Sequence, residues 1–128
     1  RLALEDAQLS PQDIGYVNAH GTSTEKGDIA ESIATHNTFG AIPISSLKSY
    51  LGHTLGACGA IEAWASINMM KDNWFAPTLN LENVDGNCAP LDYIKGQARE
   101  LTTNYVMSNN FAFGGINTSL IFKRWQDI

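Results

Sequence analysis

Apolar residues along the chain occur in short runs that alternate with helical repeats, a pattern typical of α/β folds. Apolar spacings of three to four residues predict helices over 2–9, 27–36 and 54–71. Short apolar runs predict strands over 14–19, 41–45, 104–108 and 118–123, with weaker candidates at 74–80 and 91–94. Because strands and helices alternate before two final strands, we expect a mixed sheet covered by helices.

The helix predicted over 54–71 is apolar on most sides and rich in glycine and alanine. A helix of this kind is expected to be buried, with other backbone packed closely against it. Only 16% of the residues are charged, against roughly a quarter in an average domain. This shortage of charge predicts a chain with an extensive interface, such as one half of a larger protein.

Composition excludes several classes of function. The formal net charge of −5 argues against binding to a phosphate backbone as the main task, so no nucleic-acid partner is expected. No apolar run is long enough to span a membrane, and the first residues do not form a signal peptide. Cys58 and Cys88 lie far apart without a CxxC motif, which disfavours a disulfide framework or a zinc site. A reduced, cytoplasmic protein is expected, and the first residue, which is not Met, suggests a fragment.

His20 directly follows the strand predicted over 14–19 and precedes a Gly-Thr-Ser-Thr segment. Ligands of open α/β sheets bind outside the carboxyl ends of the strands, so this histidine is well placed for catalysis. The alternative is a histidine that is only hydrogen-bonded within a loop.

His53 is predicted to open the helix over 54–71. The positive end of a helix dipole disfavours imidazolium, so a neutral His53 could donate an N–H to a developing oxyanion. The alternative is a histidine that only caps the helix. Lys48 lies five residues upstream, and its neighbours are poor indicators of a surface position, although a solvated lysine is the ordinary case.

Glu62 is the one acidic residue within the apolar stretch, and a buried carboxylate needs a lysine, a histidine or a cation beside it. The pattern around Asp28 and Glu31 predicts solvated carboxylates. The loop over 109–117 could present the Phe113 N–H to an oxyanion, or it could be a plain hairpin turn. Cys58, embedded among small residues, is expected to be an inert packed thiol.

Three segments together resemble one family: VNAHGTST, SSLKSYLGHTLGACGAIE and SNNFAFGGIN. They are similar to the three C-terminal signatures of β-ketoacyl-acyl carrier protein synthases I and II, and PTLNLENVDGNC and SLIFKRW extend the likeness over nearly the whole chain. The resemblance implies that 1–128 is the C-terminal half of a thiolase-type fold, an α/β structure with a mixed five-stranded sheet and helices on both faces.

The family condenses malonyl-acyl carrier protein with an acyl group held on a cysteine, by decarboxylation and Claisen attack in fatty acid elongation. By resemblance, His20 and His53 hydrogen-bond the malonyl thioester oxygen and stabilise the enolate. Lys48 positions a histidine and balances charge, and Glu62 supports it. Phe113 is the gating phenylalanine whose N–H completes the oxyanion hole of the acyl-enzyme.

The resemblance also implies substrate contacts. It places Phe111 and Gly114 at the malonyl pocket and its gate, and it assigns Thr22 and Thr24 to the phosphopantetheine arm that arrives on the acyl carrier protein. No other cofactor is expected, apart from an interior monovalent cation reported for some members. The residues that match this cation site are Asn18, Glu31, Glu62, Ser108 and Asn109.

The nucleophilic cysteine of the family lies in an upstream half, in a motif like TACSS, which neither Cys58 nor Cys88 matches. We therefore expect these residues alone not to condense chains. The full protein is expected to be a cytoplasmic homodimer that acts on malonyl and acyl thioesters with the acyl carrier protein. The alternatives are the ketosynthase of a polyketide pathway and a non-catalytic subunit resembling a chain-length factor.

The chain shows three departures from the family pattern. Ala112 replaces a glycine in the gate loop, Ile116 replaces a threonine, and Glu25-Lys26 replaces a proline after HGTST. A methyl group at position 112 could stiffen that loop. These changes suit a divergent member or a copy that has lost catalysis.

Overall fold

A computed structural model describes residues 1–126. Its α-helices are α1 (Leu2–Ala7), α2 (Glu25–Phe39), α3 (Lys48–Leu51) and α4 (Cys58–Asp72). Its strands are β1 (Tyr16–Asn18), β2 (Pro43–Ser45), β3 (Trp74–Phe75), β4 (Asp92–Tyr93), β5 (Arg99–Glu100), β6 (Tyr105–Phe111) and β7 (Asn117–Lys123). Short 3₁₀ turns cover Pro11–Asp13 and Leu55–Ala57.

The main sheet has five strands in the order β4-β2-β1-β6-β7. The first four are parallel to one another, and β7 pairs antiparallel with β6. The predicted mixed five-stranded sheet is therefore confirmed. The run predicted as a strand over 74–80 forms only the two residues of β3, which pair with β5 in a separate small sheet.

Helices cover both faces of the sheet, as expected. Val17 lies in a buried cluster with Leu4 of α1, whereas its neighbour Tyr16 lies in a second cluster with Met69 and Met70 of α4. This separation follows from the two-residue repeat of a strand, which sends successive side chains to opposite faces. The site described below lies on the α4 face.

Helix α4 buries one side only. Its buried positions are Cys58, Glu62, Ser66, Met69 and Met70, spaced so that they share one face. On the other side Trp64 and Ile67 are 68% and 41% exposed. The expectation of burial on most sides is thus wrong for this chain, because the described residues cover only the face that meets the sheet.

Several helices and strands begin or end at residues other than those predicted. Helix α4 begins at Cys58 rather than residue 54, because Leu55 adopts a left-handed φ of 53° and residues 55–57 form a 3₁₀ turn. His53 therefore lies in a loop and does not open a helix. Helix α2 is longer than predicted, and strand β6 runs on to Phe111, which shortens the following loop to 112–116. Within the described residues, every helix is too short or too polar to cross a bilayer.

Candidate active site

The two predicted histidines lie side by side. His20 follows β1 at the carboxyl end of the sheet, and His53 lies in the loop between α3 and the next turn. Their ring centroids are 5.4 Å apart, with the planes nearly perpendicular. The ring of Phe111, at the end of β6, is 5.7 Å from that of His20. The structure therefore brings His20, His53 and Phe111 into one site.

His20 is held in its neutral form. Burial lowers the pKa of its imidazole, the positive charges of Lys48 and His53 lower this pKa further, and Glu62 and a hydrogen bond to Asn110 partly oppose the decrease. An imidazole without a charge has a single N–H to donate. Near pH 7, His20 is thus a neutral hydrogen-bond donor.

His53 is exposed, and its own loop determines where its proton lies. The backbone N–H of Leu55 donates to His53 Nδ1 at 3.2 Å. A neutral imidazole that accepts at Nδ1 must carry its proton on Nε2. The sequence predicted that a helix dipole would favour a neutral His53 with an N–H to donate. In the structure, the Leu55 N–H instead directs the proton of a neutral His53 ring to Nε2.

A buried ion pair supports the floor of the site. Lys48 Nζ lies 2.5 Å from Glu62 Oε1, and both side chains are almost fully buried. The Asn18 amide donates to Glu62 Oε2 at 3.4 Å and to Ser108 Oγ at 3.1 Å. Glu62 therefore has the lysine partner that its place in an apolar helix demands.

Glu31 is buried, so the prediction of a solvated carboxylate is wrong. Its two oxygens accept the backbone N–H groups of His20 and Gly21, each at 2.9 Å. Burial raises the pKa of Glu31, and these two donors oppose the increase. Asp28 is half-buried, and burial raises its pKa as well. The Glu31 carboxylate thereby connects α2 to the backbone at His20 and Gly21.

The five residues predicted for an interior cation do not all meet. Asn18, Glu62 and Ser108 lie together on the α4 face, where Asn18 Oδ1 is buried without a partner. Asn109 accepts a hydrogen bond from Ser119 at 2.7 Å, and the strand repeat places it on the opposite face. Glu31 is engaged with backbone N–H groups. These side chains do not fit one ligand set, and the cation stays a prediction.

An open cavity of about 680 Å³ lies beside His53. Thr22, Thr24, Lys48 and His53 are among its lining residues. The hydroxyl oxygens of Thr22 and Thr24 are 3.2 Å apart and exposed. Both threonines therefore line the cavity, where they are accessible to a polar arm.

The predicted gate lies in the loop between β6 and β7. Phe113 is 98% exposed at the tip of the β6–β7 hairpin. Gly114 takes a φ of 84°, and the Ala112 N–H donates to the Ile116 carbonyl at 3.0 Å. Ala112 is not among the residues with positive φ, so its methyl group causes no backbone strain here. The gating role of Phe113 stays a prediction.

Both cysteines are free thiols. Cys58 is buried at the first turn of α4, and its Sγ lies 3.1 Å from Asn110 Oδ1. Among residues 1–126, no group of three or more histidine, cysteine or acidic side chains could hold a metal ion. The site within the described residues thus consists of the two adjacent histidines and the buried Lys48–Glu62 ion pair.

Comparisons with known proteins show the family of this chain. Residues 1–82 match the family model described as the β-ketoacyl synthase C-terminal domain. The chain belongs to the β-ketoacyl synthase family. It is 45% identical over 129 residues to 3-oxoacyl-[acyl-carrier-protein] synthase 2 of Coxiella burnetii, covering 98% of this chain and 31% of that protein.

Solved structures show the same fold. A β-ketoacyl synthase from Burkholderia phymatum STM815 shares 71% identity with a TM-score of 0.96, covering 98% of this chain and 31% of that one. A ketosynthase complex with a type II PKS acyl-carrier protein shares 36% identity with a TM-score of 0.91, over 98% and 31% of the two chains. The chain thus spans about a third of the length of these synthases.

Sequence reasoning missed Asn110, whose Oδ1 accepts a hydrogen bond from the Cys58 thiol at 3.1 Å. A usable signal existed: Asn110 lies two residues beyond Ser108 on β6, so both side chains face α4. The contact with Cys58 depends on the packing of α4 against β6.

Proposed function

We propose that this chain is the C-terminal half of a 3-oxoacyl-[acyl-carrier-protein] synthase that elongates fatty acids. The observation that carries the proposal is the pair of adjacent histidines, His20 and His53, in a site with a buried Lys48–Glu62 pair. Relatives named 3-oxoacyl-[acyl-carrier-protein] synthase 2 support the same reaction. An upstream half supplies the nucleophilic cysteine and covers the exposed side of α4.

In this proposal the N–H groups of His20 and His53 both donate to the thioester oxygen of malonyl-acyl carrier protein. The bond between the malonyl carboxylate and the α-carbon breaks, CO₂ leaves, and the electron pair forms the enolate. The two donors stabilise the negative charge that develops on its oxygen. The α-carbon then attacks the acyl thioester on the upstream cysteine, and the cysteine leaves as thiolate.

Lys48 supplies positive charge beneath His20 and lowers the pKa of that imidazole. Thr22 and Thr24 bind the phosphopantetheine arm where it enters through the cavity. Phe111 packs beside the malonyl group, and Phe113 with Gly114 forms the gate over the acyl-enzyme. The acyl carrier protein is the macromolecular partner, and the full protein acts in the cytoplasm as a homodimer.

The test uses the full-length protein that contains this chain. His20→Ala and His53→Ala are each expected to lower the rate of malonyl decarboxylation at least about 10²-fold, since each removes an oxyanion donor. His36→Ala, on α2 outside the site, is the matched control and is expected to retain the wild-type rate. Near-normal CO₂ release from either site variant would contradict the proposal.

A polyketide ketosynthase is the second candidate, supported by the likeness to the PKS ketosynthase complex. The two functions share the decarboxylation step but differ in the product. Extension of a saturated acyl carrier protein substrate by one unit per reductive cycle would favour the fatty acid reading. Accumulation of unreduced poly-β-keto chains would favour the polyketide ketosynthase. Loss of all activity with an intact fold would favour the non-catalytic subunit.

A further inference from the structure

Ser46 directly follows β2 and is hydrogen-bonded to three other residues. Its backbone N–H donates to Thr78 Oγ1 at 2.9 Å, and its carbonyl accepts from the Ser49 hydroxyl at 2.8 Å. Its own hydroxyl donates to the Gly21 carbonyl at 2.7 Å. Ser46 is 8% exposed. Its N–H, carbonyl and hydroxyl are thus all engaged within the chain, so the side chain has a defined position.

The Ser46 side chain continues the connection between β1 and β2 beyond the end of their pairing. In the described part of the chain, the backbone hydrogen bonds between these two strands end where the Ala19 N–H donates to the Ser45 carbonyl at 2.9 Å. Past this point one segment leads to His20 and the other leads to Lys48. The Ser46 hydroxyl joins the two segments there, so it sets the distance between them.

Gly21, which accepts this bond, is held through both of its polar groups. Its N–H donates to Glu31 Oε2 at 2.9 Å, and its carbonyl accepts from Ser46. Gly21 has a φ of 40°, and a Cβ built on it would lie 2.7 Å from both Cβ and Oγ of Ser46. The close approach of Ser46 therefore requires a glycine at this position.

The position of the His20 ring depends on the turn that Gly21 begins. His20 Nδ1 is buried without a hydrogen-bond partner among residues 1–126, so the ring is not anchored through that nitrogen. The imidazole packs against the rings of His53 and Phe111. Its backbone N–H donates to Glu31, one residue before the Gly21 carbonyl that Ser46 holds. A shift of this turn would therefore carry the imidazole with it.

We infer that Ser46 is a positioning residue for His20, which acts by holding the Gly21 carbonyl against the segment that carries Lys48. The inference rests on the proposed function, in which His20 donates a hydrogen bond to the malonyl thioester oxygen. Ser46 has no contact with the reacting atoms in this role. Without its hydroxyl the turn can move away from the Lys48 segment, and a displaced donor stabilises the enolate less well, since catalysis is sensitive to small errors in position.

The experiment measures malonyl decarboxylation and acyl transfer separately on the full-length protein. Ser46→Ala is expected to lower the kcat of decarboxylation about tenfold because it displaces the donor. The KM for malonyl-acyl carrier protein is expected to change less than about twofold, since the lost interaction acts on charge that develops in the transition state. Acyl transfer to the upstream cysteine is expected to stay close to normal. Ser46→Cys keeps a weaker donor and is expected to give an intermediate kcat.

Thr103→Val is the matched control. Thr103 is 9% exposed, its hydroxyl donates to the Tyr105 carbonyl at 3.0 Å, and it precedes β6 at the end of the sheet opposite to His20. Thr103→Val and Ser46→Ala each remove one such hydroxyl, so both are expected to lower Tm by a similar amount. Only Ser46→Ala is expected to lower kcat. In NMR spectra of histidine-labelled protein, assigned with His20→Gln, only Ser46→Ala is expected to shift the His20 ring signals.

A normal kcat in Ser46→Ala, or an equal loss of kcat in Thr103→Val, would overturn the inference. If Ser46→Ala fails to fold, Ser46→Cys is scored by the same criteria. The NMR readout does not depend on turnover. If the wild-type protein lacks decarboxylation while the His20 signals respond to Ser46→Ala, the proposed function fails and Ser46 still positions His20. If the wild-type protein decarboxylates malonyl-acyl carrier protein and Ser46→Ala does so at the same rate, the role of Ser46 fails alone.

Discussion

The polar network beneath the histidines and the tip of the β6–β7 hairpin differ sharply in how they are held. Lys48, Glu62, Asn18 and Ser108 are each at most 7% exposed and hydrogen-bonded to one another. Phe113 at the hairpin tip is 98% exposed. Only backbone hydrogen bonds such as that between Ala112 and Ile116 define the tip.

This difference separates two parts of the proposed reaction. The proposed donors to the malonyl thioester, His20 and His53, have their contacts within this chain. Any packing of the Phe113 ring must come from residues outside the described range, because no described side chain covers it. Malonyl activation and gating are therefore expected to respond differently to substitution, and the predictions below test this contrast.

The largest effect is expected from breaking the buried ion pair. Glu62→Gln leaves the Lys48 ammonium buried without its counter-charge, which is expected to cost about 3–5 kcal/mol in the free energy of unfolding. Denaturant unfolding of the full-length protein measures it. The exposed pair Arg99–Asp92 is the control, and Asp92→Asn is expected to cost about 0–1 kcal/mol.

A double variant sharpens this prediction. Lys48→Met with Glu62→Leu removes both charges and is expected to recover most of the lost stability, since burying neither ion avoids the desolvation cost. Equal destabilisation by Glu62→Gln and Asp92→Asn would show that the network is no more important to stability than a surface pair.

A smaller effect is expected from the hydroxyl of Tyr16. Its Oη is 2.7 Å from Ser45 Oγ, and Ser45 Oγ donates to the Ala76 carbonyl at 2.7 Å, so Tyr16 is the donor of its pair. Tyr16→Phe removes one buried hydrogen bond and leaves Ser45 satisfied, at a cost of about 1 kcal/mol. Tyr50→Phe, about half exposed, is the control for thermal unfolding and is expected to change stability by less than about 0.5 kcal/mol.

Phe113→Ala is expected to change the free energy of unfolding by less than about 0.5 kcal/mol, because the ring contacts little in this chain. Under the proposed gating role, the same variant slows acyl transfer but leaves malonyl decarboxylation close to normal. The two rates are measured separately on the full-length protein. A large loss of stability would mean that the ring is packed in the whole protein.

The pH dependence of stability offers the finest test. Burial and nearby positive charge hold the pKa of His20 below its usual 6.5. Between the pKa of His20 in the folded state and its pKa in the unfolded state, the unfolded protein binds more protons than the folded protein. His20 therefore contributes stability above about pH 6.5 that is lost as pH falls toward the folded pKa. Comparing His20→Gln with wild type isolates this slope from the opposite contributions of Asp28 and Glu31, whose pKa values are raised. An identical slope in the variant would contradict the prediction.

Local pattern sufficed for much of the fold. The alternation of apolar runs predicted α1, α2, α4 and the strands of the mixed sheet, but not the one-turn helix α3. The predictions succeeded because period and length are properties of the chain itself. The motifs around His20, Lys48 and His53 indicated the site and the family. Local pattern also indicated that Glu62 needed a partner, because a lone carboxylate in an apolar helix is costly.

Tertiary structure decided the rest. The packing of α4 against the sheet brings Glu62 into an ion pair with Lys48, the residue that the family resemblance had placed near it. Only the pairing of β1 with β6 places Asn18 within hydrogen-bond distance of Ser108. The left-handed Leu55 moved His53 out of the helix that the pattern predicted. Hydrogen bonds and ion pairs join residues far apart in the chain, so their partners are determined by how the elements pack and not by local sequence.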